Sequence, residues 1–399
     1  MTISHSQYYT SNEISSLMMS CISKDDVETV LDLGAGNGAL TKAATKKWRT
    51  AKGIVADIDK ANSVSLIEQG YETHNIDCII SDLGYKIGLK PNTIDVGVCN
   101  PPYEVIENQE FIGNLLEEVH LKMNCQEKKA TSDLVFLAYN LLFLKPHGVL
   151  GIIVPYSIMT GWNYGLLRQS LLENYYVERA IELPENSFSY TEAKTGILII
   201  RKEKSNGRKT KLNTVTENFK LSESISVPSN QLSLRFDYSF HLWKKTQGKK
   251  EYRNKNEIAI LRGKLSHDEL KKNGKPYFHT TCYGLSDINW LYSYDANDKS
   301  IVGGGSFMIA RVGKRCVGRV KYLEKGNIQI SDCIYGVTVP KGYIEDFKTY
   351  FNSKEYSDFI KVVARGVCSL YICRGDLESM LLRKIEDFRN KRQVYQGND

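Results

Sequence analysis

From Val27 to about Arg201, short apolar runs alternate with helix-like stretches, and this alternation narrows the possible folds more than any other feature of the chain. The runs are TVLDLG, KGIVADID, DVGVCN, GVLGIIV, ERAIEL and GILIIRK. Such runs are too short for buried helices and read as strands covered on both faces. Thr131 to Phe143 and Leu166 to Glu173 have the length and spacing of helices, and LKPHG marks a turn. Strands that alternate with helices form βαβ units, so the expectation is an α/β fold built on a Rossmann-like, mostly parallel sheet.

With 399 residues the chain is too long for one ordinary core, and its composition changes near Lys202. KEKSNGRKTK and LSESISVPSN are polar and rich in breakers, and after Ser233 come short strands, many glycines, basic residues and interleaved aromatics. The expected division is an α/β domain over 1–210, a linker over 211–232, and a mixed α+β, strand-rich domain over 233–399. The second domain ends in a helix over Asp376 to Gln393, with Asp376 as a possible N-cap.

The longest apolar stretch, GVLGIIVP, is too short to cross a bilayer, and MTISHSQYYTSNE is not a signal peptide. A cytoplasmic protein without membrane contact is expected. Nine cysteines, an odd number with no CxxC pair, suit reduced thiols better than a disulfide framework or a zinc site. Cys368 and Cys373 are near neighbours, but no histidine stands at ligand spacing, so no metal is expected. A net charge of +7 suits a polyanionic partner without establishing one.

Four candidate motifs then follow one another at the ends of predicted strands. In VLDLGAGNGAL, Gly34, Gly36 and Gly38 allow a tight turn and close approach of a ligand to the main chain. Asp32 can accept from an ammonium or orient the loop. VADID comes about 20 residues later, where a ribose-binding acid belongs, with Asp57 the better candidate and Asp59 in reserve. Asp82, in ISDLG, could accept from the exocyclic amine of a bound adenine, and Asp77 competes for that role. Last comes VCNPPYE, in which Pro101 and Pro102 lack backbone donors and hold Asn100 stiffly at the strand end. Each motif has a plain structural alternative: a strand–helix turn, a solvated acid, or a strand stopped by prolines. In a doubly wound sheet, however, these strand ends share one crevice.

The ordered set resembles the S-adenosylmethionine-dependent amino-methyltransferases of DNA, and HSQYYTS looks like the segment that folds over the cofactor there. The order matches the γ arrangement of N6-adenine methyltransferases with an NPPY motif. Ser11 stands where proline is commoner, and His147-Gly148 replaces a usual Gly-Gly turn. For the cofactor S-adenosyl-L-methionine, the resemblance implies contacts from Tyr9, Thr10, Asp32, Gly34, Gly36, Asp57, Ile58, Asp82, Leu83 and Asn100. For catalysis it implies Asn100, Pro101, Pro102 and Tyr103, with Phe188 from ELPENSFSYTEAKTGILIIRK as a second aromatic against a flipped adenine. The Asn100 oxygen and the Pro101 carbonyl would accept the two amino hydrogens, and no metal takes part.

The second half is similar to the target-recognition domains of type I restriction specificity subunits, in phrases such as GGGSFMIARVGKRCVGRV and ISDCIYGVTVP. That likeness implies DNA contacts from Arg311, Lys314, Arg315 and Arg319. The implied whole is a site-specific adenine methyltransferase acting on double-stranded DNA, encoded by a bacterium, phage or plasmid. It would work as a monomer or homodimer, with room for a separately encoded restriction endonuclease. The competing readings are an RNA adenine or protein glutamine methyltransferase, a cytosine-N4 enzyme, or a DNA-binding subunit with a degenerate methyltransferase half.

Overall fold

The structure is a computed structural model that describes residues 9–107, 109–123, 130–185, 187–188, 194–216, 218–247, 257–285, 288, 290–295, 297–366 and 369–396. Residues 5–8 of HSQYYTS, 186 and 189–193 of the ELPENSFSYTEAKTG segment, and Cys368 lie outside the described residues. The chain divides into two compact units, Met1–Leu242 and Trp243–Asp399.

All six apolar runs are strands of the first unit. Its strands are β1 (Thr29–Leu33), β2 (Lys52–Asp57), β3 (Glu72–Asn75), β4 (Ile94–Cys99), β5 (Leu144–Pro155), β6 (Tyr176–Glu182), β7 (Thr195–Arg201), β8 (Thr210–Thr214) and β9 (Ile225–Val227). They form one sheet in the order β3-β2-β1-β4-β5-β7-β6-β8-β9. β1 to β5 run parallel, β7 is antiparallel to both β5 and β6, and β8 pairs parallel with β6. The order reverses at β1, which lies between β2 and β4, so a crevice opens beyond the carboxyl ends of β1 and β4. Asp32 is level with Val98 in that pairing, which brings the loops after β1 and β4 side by side.

The helices of this unit are α1 (Asn12–Cys21), α2 (Ala39–Lys47), α3 (Lys60–Glu68), α4 (Leu83–Lys86), α5 (Gln109–Glu118), α6 (Ser132–Phe143), α7 (Tyr156–Thr160), α8 (Gly165–Asn174) and α9 (Ser229–Leu232), with α10 (Tyr238–Gln247) beginning in it. The apolar side of α1 packs with β1, β4 and β5 through Ile14, Met18, Val30, Val98 and Ile153. The expected LKPHG turn is a kink inside β5, where His147 takes a left-handed φ of 64°.

The structure moves the domain boundary. Residues 211–232, expected as a linker, carry most of β8 and all of β9 and α9, and the first unit continues to Leu242. The reason is buried charge that looks like surface in the sequence. Arg168 is fully buried and donates to the carbonyls of Ile158, Gly161, Ser233 and Leu234 at 2.8–3.0 Å. Arg235 and Asp237, both 0% exposed, form a two-bond ion pair at 2.7 Å. Tyr156 donates to Asp237 and to Glu182, so the pair is tied to the end of β6. Removing one partner of such a pair costs about 3–5 kcal/mol.

The second unit is mixed α+β, as expected. Antiparallel strands β10 (Ala259–Arg262), β13 (Ser306–Ala310), β14 (Val320–Leu323) and β16 (Ile334–Thr338) form one sheet in the order β10-β16-β13-β14. A smaller sheet holds β11 (Tyr277–Phe278), β15 (Asn327–Ile330) and β12 (Ile301–Gly303) in that order. The helices are α11 (His267–Lys272), α12 (Ile344–Phe351), α13 (Lys354–Val363) and α14 (Arg374–Gln396). Phe307, Tyr335 and Val337 pack against Phe347, Phe351, Phe359, Leu377 and Leu381 from these helices. Asp376 lies within the first turn of α14, where its carboxylate pairs with Arg365 at 3.0 Å. Among the described residues no helix is long and apolar enough to cross a membrane.

Candidate active site

The crevice beyond β1 and β4 holds a cavity of about 170 Å³, and its lining joins three of the sequence motifs. Gly34 and Gly36 line it from the loop after β1, Asp57 and Ile58 from the end of β2, and Asn100, Pro101 and Pro102 from the loop after β4.

The glycine loop turns sharply because Gly34, Gly36 and Gly38 have φ of 71°, 57° and 80°, a region side chains rarely occupy. Gly34 and Ala35 N–H donate to the Ala56 carbonyl at 2.8 and 3.1 Å. Asp57 is buried, and its carboxylate accepts from Gly36 N–H (2.7 Å), Asp59 N–H (2.8 Å) and the Asn62 amide (3.3 Å). A carboxylate offers about four acceptor sites, so one is left for a ligand hydroxyl. Asp59 has another task, capping α3 through bonds to Ala61 and Asn62 N–H. Tyr9 lies over the loop, its ring 3.3 Å from where a Cβ on Gly36 would stand.

Asp32 sits beneath the loop and does not line the cavity. Its Oδ2 accepts from Thr41 at 2.7 Å, and its Oδ1 is buried without a hydrogen-bond partner. Burial, with the Asp57 charge nearby, pushes its carboxyl up to about 7. This carboxyl is tied to α2 through Thr41.

Asp77 lines the cavity, held in a turn by accepting from Ile79 N–H at 2.9 Å. Asp82 and Leu83 do not, which corrects the expectation for both. The chain passes the cavity at Ile76 to Ile79; Asp82 then precedes α4 on the surface, 4.0 Å from Lys86, and Leu83 is fully buried.

On the other wall, the Asn100 amide nitrogen donates to Thr10 Oγ1 at 3.1 Å, which turns Oδ1 to the opposite side of the amide. Thr10 therefore meets Asn100 without itself lining the cavity. Ser11, the departure from the commoner proline, is the N-cap of α1 and accepts from Ile14 N–H at 3.3 Å. Tyr103 is half-buried just beyond the wall. Phe188 is a correction: it is 5% exposed and belongs to the core with Ile14, Met18 and Leu183, because the apolar floor under α1 takes it up.

Several lining residues carried no motif. Asn62, Ile76, Cys78, Ile79 and Phe136 complete the walls, with Glu104 from the end of VCNPPYE. The apolar run around Asp77 was a usable signal; Phe136, in the middle of α6, offered none. Burial pushes the Cys78 thiol up to about 12, so it acts as an inert wall atom.

In the second unit, Lys314, Arg315 and Arg319 are exposed on the connection between β13 and β14. Arg311 is half-buried and donates from Nε to the Asp332 carbonyl at 2.9 Å, so it also fastens that connection.

The sequence model of the N-6 DNA methylase family matches residues 2–262, and the chain belongs to that family. A curated relative, the methylase subunit of the type I restriction enzyme MpnII of Mycoplasma pneumoniae, is 25% identical over 229 residues, 50% of this chain and 40% of the relative. A putative type II restriction enzyme and methyltransferase of Methanocaldococcus jannaschii is 31% identical over 124 residues, 31% of this chain and 10% of the relative. The chain thus spans less than half the length of these relatives. Among solved structures, the type IIG restriction endonuclease BpuSI aligns over 92% of this chain and 57% of its own, with a TM-score of 0.50 and 12% identity. That likeness supports the fold.

Proposed function

We propose that this chain transfers a methyl group from S-adenosyl-L-methionine to the N6 amino group of an adenine flipped out of double-stranded DNA. The observation that carries this reading is the single cavity shared by the Gly36–Asp57 pair and by Asn100, whose amide is oriented by Thr10. The residues fit the cofactor. Asp57 has an acceptor site left for a ribose hydroxyl, Asp77 has a carboxylate for an exocyclic amine, and Ile58, Ile79 and Phe136 offer apolar walls for a purine.

When bound, the cofactor supplies a methyl group made electrophilic by its sulfonium. The chain's own part is to make an amino group of low basicity attack it. Asn100 Oδ1 and the Pro101 carbonyl accept the two N6 hydrogens and draw the nitrogen toward a pyramidal shape, with its lone pair turned to the methyl. The cofactor, which Asp57 and Asp77 would hold, would supply the methyl group and keep the bonding pair on its sulfur, and the extra N6 proton would leave to solvent. Tyr103 stacks on the extruded base and offsets part of an unstacking cost of a few kcal/mol.

The second unit is the target-recognition domain, with Lys314, Arg315 and Arg319 reaching phosphates or base edges and Arg311 bracing their loop. The protein modifies DNA within a restriction–modification system, as a monomer or homodimer, beside a separately encoded endonuclease. The test is methyl transfer from labelled cofactor to duplex DNA, RNA and protein in parallel, followed by modification-sensitive sequencing of the DNA. N6-methyladenine in one sequence context is expected. Transfer to RNA or protein alone would replace this reading, and N4-methylcytosine would change the base.

A further inference from the structure

The loop from Asn100 to Glu104 has a shortage that the two prolines create. Pro101 and Pro102 have no N–H, so the loop cannot hold itself by ordinary turn bonds. Proline also fixes φ but not ψ, and ψ decides where each carbonyl points.

One residue outside the loop makes up this shortage. The Ser132 hydroxyl accepts from Glu104 N–H at 2.9 Å and donates to the Pro102 carbonyl at 2.7 Å. Ser132 N–H donates to the Glu104 carbonyl at 2.8 Å. Ser132 is 0% exposed while Glu104 is exposed, so these bonds are shielded from the Ser132 side. The attachment continues outward, with a Val105–Thr131 bridge and a bond from Ile106 N–H to the Ala130 carbonyl at 3.1 Å.

Ser132 stands at the start of α6, but its hydroxyl is turned to the loop. The helix's N-cap residue, Thr131, makes no side-chain capping bond either. Further along the same helix, Phe136 lines the cavity and lies 3.1 Å from where a Cβ on Gly34 would stand. One helix therefore touches both walls.

We propose that Ser132 is a positioning residue for methyl transfer, fixing the Pro102 carbonyl and the Glu104 amide so that the Pro101 carbonyl and Asn100 stay aimed at the target amine. This rests on the functional reading above. The peptide between Pro101 and Pro102 is planar, so holding Pro102 holds the plane that bears the Pro101 carbonyl. Ser132 touches neither substrate nor cofactor in this role. Its loss therefore acts on kcat and spares cofactor affinity.

The test uses the full chain with duplex DNA and labelled S-adenosylmethionine, comparing wild type, Ser132→Ala and Ser132→Thr. Ser132→Ala is expected to lower kcat about 10- to 100-fold with the cofactor Kd unchanged, because a misplacement of roughly 1 Å is enough for that loss. Ser132→Thr keeps the hydroxyl and regains most of the rate. Hydrogen exchange gives a readout independent of turnover: the Glu104 amide is slow in wild type and fast in Ser132→Ala.

An unchanged kcat in folded Ser132→Ala, or a Glu104 amide that exchanges freely in wild type, overturns the proposal. Should Ser132→Ala fail to fold, the wild-type exchange rate and the activity of Ser132→Thr decide it. A wild-type chain that binds cofactor but methylates no DNA sinks the functional reading, and this role with it. That result is distinct from an active wild type with an indifferent Ser132.

Discussion

The two walls of the cavity are held by opposite means. The glycine-loop wall is fastened by bonds between consecutive strand ends: Gly34 and Ala35 to Ala56, Gly36 to Asp57, and Asp59 back to Asp57. Two of these four bonds join main-chain groups, and the other two end on the Asp57 carboxylate. The Asn-Pro-Pro wall is hung from remote hydroxyls, Thr10 at a separation of 90 residues and Ser132 at 28 and 30. The first wall gains redundancy from four bonds that converge on Ala56 and Asp57. The second depends on two side-chain hydroxyls from distant parts of the chain, beside the main-chain bond from Ser132 N–H to the Glu104 carbonyl, and it is the wall assigned to the chemistry. Remote substitutions should therefore touch transfer far more readily than cofactor binding.

The largest expected effect tests that division directly. Asn100→Ala should cut kcat at saturating cofactor by about 10³-fold or more, since it removes an acceptor for the reacting amine and leaves the glycine-loop wall intact. Asp57→Ala should do the reverse, weakening cofactor binding roughly 10- to 100-fold while the rate at saturation changes little. Isothermal titration and single-turnover transfer on the two variants separate these cases. If both variants moved the same quantity, the walls would not be functionally distinct.

A next, smaller effect belongs to the acid beneath the glycine loop. The Asp32 carboxyl is raised from an ordinary 3.8 to about 7, chiefly by burial. A raised folded-state pKa means that its contribution to stability is full below the unfolded value and is lost as pH climbs through the folded one. Asp32→Asn has no such titration. The variant should match wild type near pH 4 and exceed it by a few kcal/mol near pH 8. Urea unfolding at several pH values checks this, and parallel stability curves would show that Asp32 ionises at no cost in the fold.

What could be read from the sequence follows the same contrast. The six buried strands, the glycine turns and Asp57 were legible because their causes are local: apolar runs, positive φ, and an acid at a strand end. Asn100 was legible as a candidate because two prolines hold it at a strand end, one of the two readings that the sequence left open. β3 was not, since ETHN is a half-exposed edge strand with no apolar signature. Asp82 was preferred to Asp77 because spacing cannot say where a loop leaves a cavity. Ser132 and Phe136 gave no signal, as their partners lie about 30 or 100 residues away. The domain boundary was misplaced for a different reason. Arg168, Arg235 and Asp237 look like surface charges until their partners are known.

Gly34 offers a test of the redundant wall itself. It has φ of 71°, and a Cβ there would lie 3.1 Å from the Phe136 ring. Gly34→Ala should cost about 1–3 kcal/mol through the strained backbone and displaced ring. Thermal melting measures it. The flanking Ala35–Ala56 bond is untouched, so cofactor binding should weaken without disappearing.

The smallest effect lies where the second wall begins. Ser11 caps α1 by accepting from Ile14 N–H, and its neighbour Thr10 receives the Asn100 amide. Ser11→Ala should cost about 1 kcal/mol in stability. The backbone there has φ of −71°, which suits proline. Ser11→Pro also loses the side-chain cap, but it restricts the unfolded chain and should recover about 0.4–1 kcal/mol. The expected order of melting temperature is wild type, Ser11→Pro, Ser11→Ala. If the helix start aims Thr10, both variants should also lower kcat by a few-fold while cofactor affinity holds. A pure stability loss with kcat unchanged would mean that Thr10 is placed by its own packing, and the chain of support for Asn100 would end one residue sooner.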